Sequence, residues 1–194
     1  EGFENTPPSN CLYNFPYYGE MLERLGYGKQ LDWIQIKLEA NVGVPDKLRR
    51  INEMLLEKHK LRIVDVEKFK KNKKMLFDFF ESYNTSFRNI PNFVPLTNAE
   101  VEEIGREYMS LLKDELTCLI LDENDKIAAF AVCFPSLSEA MKKAKGKMFP
   151  FGWYHILKSF RKYDSIDLMI MGAAKEWQNT GISSVLHTYL ATRF

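Results

Sequence analysis

The sequence predicts a mixed α/β fold, and three observations carry that expectation. Short apolar runs of strand length at 61–66, 116–121, 127–134 and 168–171 alternate with stretches whose apolar residues recur every three or four positions. Two of those runs are separated only by a polar break at 122–125, which is a hairpin signal. The chain also ends on strand, short loop, glycine and helix, with Ile182, Val185, Leu186, Tyr189 and Leu190 at helical spacing after Gly181.

Composition narrows the class. Of 194 residues, 45% are apolar and 13% aromatic, which is ample for a packed core. The net charge of +1 shows no basic face, so nucleic acid is not an expected partner. No apolar run has transmembrane length, and no membrane partner is expected. The opening Glu1-Gly2-Phe3-Glu4-Asn5 lacks the basic-then-apolar form of a signal peptide. Cys11, Cys118 and Cys133 are odd in number and far apart, and the last two sit in apolar runs as small hydrophobes. A reducing, cytoplasmic setting is the expectation. His59, His155 and His187 show no metal-ligand spacing, so no metal is expected.

In chain order, residues 1–16 are rich in Pro and Asn and read as irregular. Tyr17, Tyr18, Met21, Leu22 and Leu25 fall on one face of a short helix stopped by Gly26. Residues 31–38 alternate apolar and polar, as a half-buried strand does. A helix over 45–58 should turn Leu48, Ile51 and Leu55 inward, and 61–66 should be a strand. One helix is expected over 68–82, with Phe69, Leu76, Phe79, Phe80 and Tyr83 as core; its four lysines read as a solvated face. A loop over 86–96 leads to Thr97-Asn98-Ala99-Glu100, a capping box opening a helix with Val101, Ile104, Tyr108, Leu111 and Leu112 as its stripe. After the hairpin, 136–147 reads as a charged surface excursion. Trp153, Ile156, Leu157 and Phe160 mark a short helix before the last strand.

That last strand, expected to be buried, ends at Gly172-Ala173-Ala174, and the loop 175–180 leads into the final helix. The first turn of a helix leaves backbone N–H groups without partners, and the helix dipole adds positive potential there, so this junction suits a phosphate. Gly181 admits a close backbone approach, and the small Ser183 keeps it open.

Gln178-Asn179-Thr180-Gly181-Ile182-Ser183 resembles the pyrophosphate loop of GCN5-related N-acetyltransferases, Q/R-x-x-G-x-G/A, with Ser183 as the departure. The resemblance implies an acyl-CoA N-acyltransferase fold with a central, mostly antiparallel sheet flanked by helices. It implies acetyl-CoA as co-substrate, bound by the backbone of Met171, Gly172 and Ala173 and by Gln178, Asn179, Thr180, Gly181, Ile182 and Ser183. It extends over most of the chain in two pieces. Residues 1–40 resemble the end of one such unit, through Asn14, the helix and Leu25-Gly26-Tyr27. Residues 41–60 form a linking helix, and 61–194 resemble the front of a second unit, incomplete at its end. A piece of a longer tandem protein is expected, with a permuted single domain as the alternative. The expected partners are the remainder of that chain or a second copy.

Acyl transfer to an amine needs a deprotonated amine, donors for the developing oxyanion and a proton source for the thiolate. By resemblance, a backbone N–H near Met171–Ala173 serves the oxyanion. Asp167, Glu176 or a water chain are the open choices of base, and the catalytic residues are unassigned. Where the family carries its general-acid tyrosine, this chain has Leu22, and Tyr17 and Tyr18 lie about two turns back. Trp177 reads as a half-buried loop aromatic, with stacking on adenine as the alternative. Three functions remain: an N-acyltransferase acting on a small-molecule or peptide amine, a catalytically degenerate relative with a structural or CoA-sensing role, and an α/β interaction module that binds no CoA.

Overall fold

Two adjacent strands, one buried throughout and the other at all but one position, can persist only if helices cover both faces of their sheet. The computed structural model describes residues 6–8, 11, 13–39 and 43–193. The expected irregular lead at 1–16 therefore lies partly outside the described residues. The chain divides into two compact units, residues 1–39 with 135–167 and residues 40–134 with 168–194.

The larger unit is built on the expected hairpin. Strand β2 (Thr117–Leu121) pairs antiparallel with β3 (Ile127–Pro135), Leu119 facing Phe130 and Ile120 facing Ala129. Asp122 closes the turn, its carboxylate accepting from the N–H groups of Asn124 and Lys126 at 2.8 and 2.9 Å. The register slips once, between Ile120 and Leu121. Strand β1 is only Arg62–Ile63, antiparallel to β2. It is shorter than the run at 61–66 predicts because the Asp65 carboxylate accepts from Glu67 N–H and starts helix α3 (Val66–Lys71).

One face of the sheet carries Leu119, Leu121, Phe130 and Val132. They pack with Val66 and Phe69 of α3, with Leu76, Phe79 and Phe80 of α4 (Lys73–Phe87) and with Val101 of α5 (Asn98–Tyr108). The single helix expected over 68–82 is two. Asn72 leaves helical geometry, and its side chain accepts from Met75 N–H to cap α4. The capping box at α5 forms as expected, with Glu100 accepting from Thr97 N–H at 2.8 Å and so held below the usual carboxylate range. Thr97→Ala removes one side of it and should lower stability by about 1 kcal/mol, read from the thermal melting midpoint. Of the predicted stripe, Val101 and Leu112 are buried, whereas Tyr108 and Leu111 are exposed.

The opposite face presents Cys118, Ile120, Ala129, Ala131 and Cys133, following the two-residue alternation. Alanines here leave room for α8 (Ile182–Arg193), which packs against β2 and buries Ile182, Val185, Leu186, Tyr189 and Leu190. Helix α2 (Asp46–Lys58) in turn packs on α8. Its buried residue is Asn52, not the predicted Ile51, which is exposed. Asn52 Nδ2 donates to Ser184 O and Thr188 Oγ1, and Ser184 Oγ donates back to its Oδ1, so an amide fills the apolar stripe because α8 offers it partners.

Burial pushes the Cys118 thiol and the Tyr189 phenol each up to about 12. Both ionise more readily unfolded than folded, near 9 and 10 respectively. These two groups should therefore leave stability unchanged below pH 9 and lower it as pH rises from there toward 12. Denaturant midpoints measured across that window test this, and a midpoint flat through it would refute the burial of both groups.

In the smaller unit, α1 (Tyr17–Arg24) ends as predicted. Gly26, at φ +88°, donates to Glu23 O, and Tyr27 donates to Leu22 O. Its apolar face is nevertheless exposed. The strand expected at 31–38 does not form; those residues are exposed and have no neighbouring strand among the described residues. Alternation alone cannot make a strand, because the ladder needs a partner for its N–H and C=O groups. The surface excursion contains helix α6 (Ser138–Ala144), which packs against α7 (Gly152–Arg161).

Strand β4 (Ile166–Ala173) returns beside β3, and the sheet order is β1-β2-β3-β4. Bonds from Ser136 N–H to Ser165 O and from Ala174 N–H to Ala128 O make the pair antiparallel. The sequence predicts a buried strand here. Instead β4 is an edge among the described residues, with Leu168 and Met169 exposed, because its second neighbour is absent from them. The result is a mixed α/β fold, an open antiparallel sheet flanked by helices, compatible with the acyltransferase architecture that the sequence resembles.

Candidate functional site

Glycines and short-range hydrogen bonds set the end of β4 and the start of α8. Gly172 lies under the ring of Phe130; a Cβ there would stand 2.6 Å from Phe130 Cζ, so the ring's place in the core requires glycine. The Ala174 bond to Ala128 turns alternate residues Gly172 and Ala174 toward β3, and the same alternation turns the backbone of Met171 and Ala173 to the open edge. The Ala173 carbonyl there already accepts from Ser86 Oγ at 2.9 Å and Gln178 Nε2 at 3.2 Å. The edge therefore offers the Ala173 N–H and both backbone groups of Met171.

Gln178 thus ties the loop back to the strand it leaves. Between them Lys175–Trp177 makes a turn of 3-10 helix, with Trp177 N–H donating to Ala174 O at 2.8 Å. Thr180 Oγ1 donates to Trp177 O at 2.7 Å, so its hydroxyl shapes the loop. Asn179 and Gly181 then take positive φ, +62° and +89°. Asparagine and glycine are the residues that adopt this conformation most readily. A Cβ on Gly181 would make only an ordinary 3.9 Å contact with Leu55 Cδ1, so the backbone conformation selects glycine there.

Among the described residues, the N–H groups of Asn179, Gly181, Ile182 and Ser183 have no protein acceptor. The Ser184 N–H is taken by Gly181 O at 2.9 Å. Four free donors over five positions, at the positive end of a twelve-residue helix, form a cradle suited to an anion. Ile182 contributes only backbone, since its side chain is buried; Gln178, Asn179, Gly181 and Ser183 are exposed.

Sequence reasoning missed Ser86. It follows the apolar face of α4, and nothing in its surroundings in the chain points to the Ala173 carbonyl. Trp177 meets His59 edge to face, ring centres 5.4 Å apart, which gives the indole a packing role. Glu176 is exposed, and neither it nor Asp167 forms an ion pair or side-chain hydrogen bond among the described residues. No group of three His, Cys, Asp or Glu residues able to hold a metal occurs among the described residues. A separate open groove of about 640 Å³ runs along α2, β1 and α8, lined by Asn52, Asp65, Asp114 and Arg193 among others, and none of the loop residues borders it. Its Arg193 is paired with Asp114 and stacked on Tyr189, 4.4 Å from the ring centre.

No protein-family model matches the chain. It is similar to Protein YghO of Escherichia coli, 26% identical over 192 residues that make up 96% of this chain and 47% of that protein. It is also similar to the bacterial ceramide synthase of Caulobacter vibrioides, 28% identical over 184 residues, 92% of this chain and 46% of that enzyme. The chain spans about half the length of the curated relatives it matches.

Proposed function

We propose that the chain is part of an acyl-CoA-dependent N-acyltransferase, with the β4–α8 junction as its acyl-CoA site. The observation that carries this reading is the set of four unpartnered N–H groups at Asn179, Gly181, Ile182 and Ser183, placed directly after the open edge of a strand. In this reading the cradle holds the pyrophosphate. The Met171 backbone and the Ala173 N–H pair with the pantetheine amides, and a backbone N–H of the same stretch steadies the developing oxyanion. The acceptor is a primary amine. A relative named for making ceramide, which is an N-acylated amino alcohol, supports amide formation and favours a long-chain amine and donor. Acetyl-CoA is the simplest donor to test. In this reading residues 1–40 are the end of one unit, 41–60 a linker and 61–194 the front of a second.

Calorimetric titration of acetyl-CoA and of a long-chain acyl-CoA into the natural-length protein tests the site. Saturable binding of either supports it, and binding of neither refutes it. A screen of amines for release of free CoA thiol then separates the two remaining readings. The degenerate, CoA-sensing alternative is favoured by Leu22 standing where the tyrosine is expected, and it predicts binding with no turnover.

A further inference from the structure

The connection between β3 and β4 is both exposed in its apolar residues and strongly basic. At its tip, Met148, Phe149 and Phe151 are 53%, 78% and 70% exposed. On α7, Leu157 lies one turn beyond Trp153 and Tyr154, and all three are about half exposed. The same stretch carries Lys142, Lys143, Lys145, Lys147, Lys158, Arg161 and Lys162, with Glu139 the one carboxylate over 138–162. Among the described residues none of these seven cations forms an ion pair.

We propose that the α6–α7 hairpin seats this chain on an anionic phospholipid surface. Aromatic and aliphatic side chains enter the interfacial layer; the Tyr154 phenol can stay hydrated there, and the Trp153 indole N–H is already satisfied by Pro150 O at 2.9 Å. The lysines and arginine meet the phosphates, an attraction that adds up residue by residue and is screened by salt. Charge decides the occupant. The other exposed apolar stretch, 13–39, carries Arg24, Lys29 and Lys37 against Glu20, Glu23, Asp32 and Glu39, so it offers an anionic surface no net attraction. The sequence expectation of no membrane partner rests on spanning helices, and no described helix is long and apolar enough to cross a membrane. A hairpin lying in the interface needs no such helix.

The test is co-sedimentation of the natural-length protein with phosphatidylcholine vesicles, with and without phosphatidylglycerol. Binding should require the anionic lipid and weaken at high salt. Lys147→Glu with Lys158→Glu should reduce it about tenfold or more. Phe149→Ser with Phe151→Ser should abolish it, at an unchanged melting midpoint because both side chains are exposed. The proposal is overturned if the protein ignores anionic vesicles, or if the serine variant still binds them. It is equally overturned if that variant merely converts a dimer to a monomer in a protein that binds no vesicles, which would make a second copy the occupant.

Discussion

Gly181→Asp is expected to weaken acyl-CoA binding by roughly a hundredfold, about 3 kcal/mol. The carboxylate would sit beside the four free N–H groups, draw on the same donors and repel the pyrophosphate. At φ +89° any side chain also strains the backbone by about 1–2 kcal/mol, so the variant should melt earlier as well. Gly181→Ala separates the two effects. It carries the strain without the charge, so it should lose similar stability yet keep most of its affinity. Titration of both variants, with their melting midpoints, decides the matter. Wild-type affinity in Gly181→Asp would remove the site.

The second large effect lies beneath the site. Phe130 is fully buried, its ring packed edge-on to Phe79 at 4.9 Å between centres and set over Gly172. Phe130→Ala should destabilise the chain by about 3–5 kcal/mol, measured by chemical denaturation. Gly172→Ala in the native background should cost about 1–3 kcal/mol, because its new methyl meets the ring. With Phe130 already alanine, the same change should be nearly neutral. This coupling is specific to the pair. Additive losses would show that something other than the ring requires glycine at 172.

Where residues interact with close neighbours in the chain, the sequence was readable. Thr97 and Glu100 are three residues apart and find each other in any helix started there. Asp122 closes a turn with Asn124 and Lys126, and Gly26 ends α1, for the same reason. The strand–glycine–helix order at 168–190 was likewise legible, since the apolar run, the loop and Gly181 follow one another in the chain. Residues whose local options compete were misjudged. Asn72 sits in a continuous helical pattern, yet its side chain captures a backbone N–H and splits the helix. At 31–38 the alternation is clear, but a strand takes its identity from a neighbour that the described residues do not supply.

The sequence by itself determined the α/β class, the hairpin, most of the α3–α5 core and the loop whose backbone geometry leaves donors free. These follow from periodicity, caps and turn residues, which act over a few positions. Only the tertiary structure decided that the Ala173 carbonyl is taken by Ser86, 87 residues away, and that Asn52 is the buried side chain of α2. Only it decided that β4 is an edge strand among the described residues and that the ring of Phe130 dictates Gly172. Each of these depends on which distant group arrives to satisfy a polar atom or fill a volume, and separation along the chain carries no trace of that.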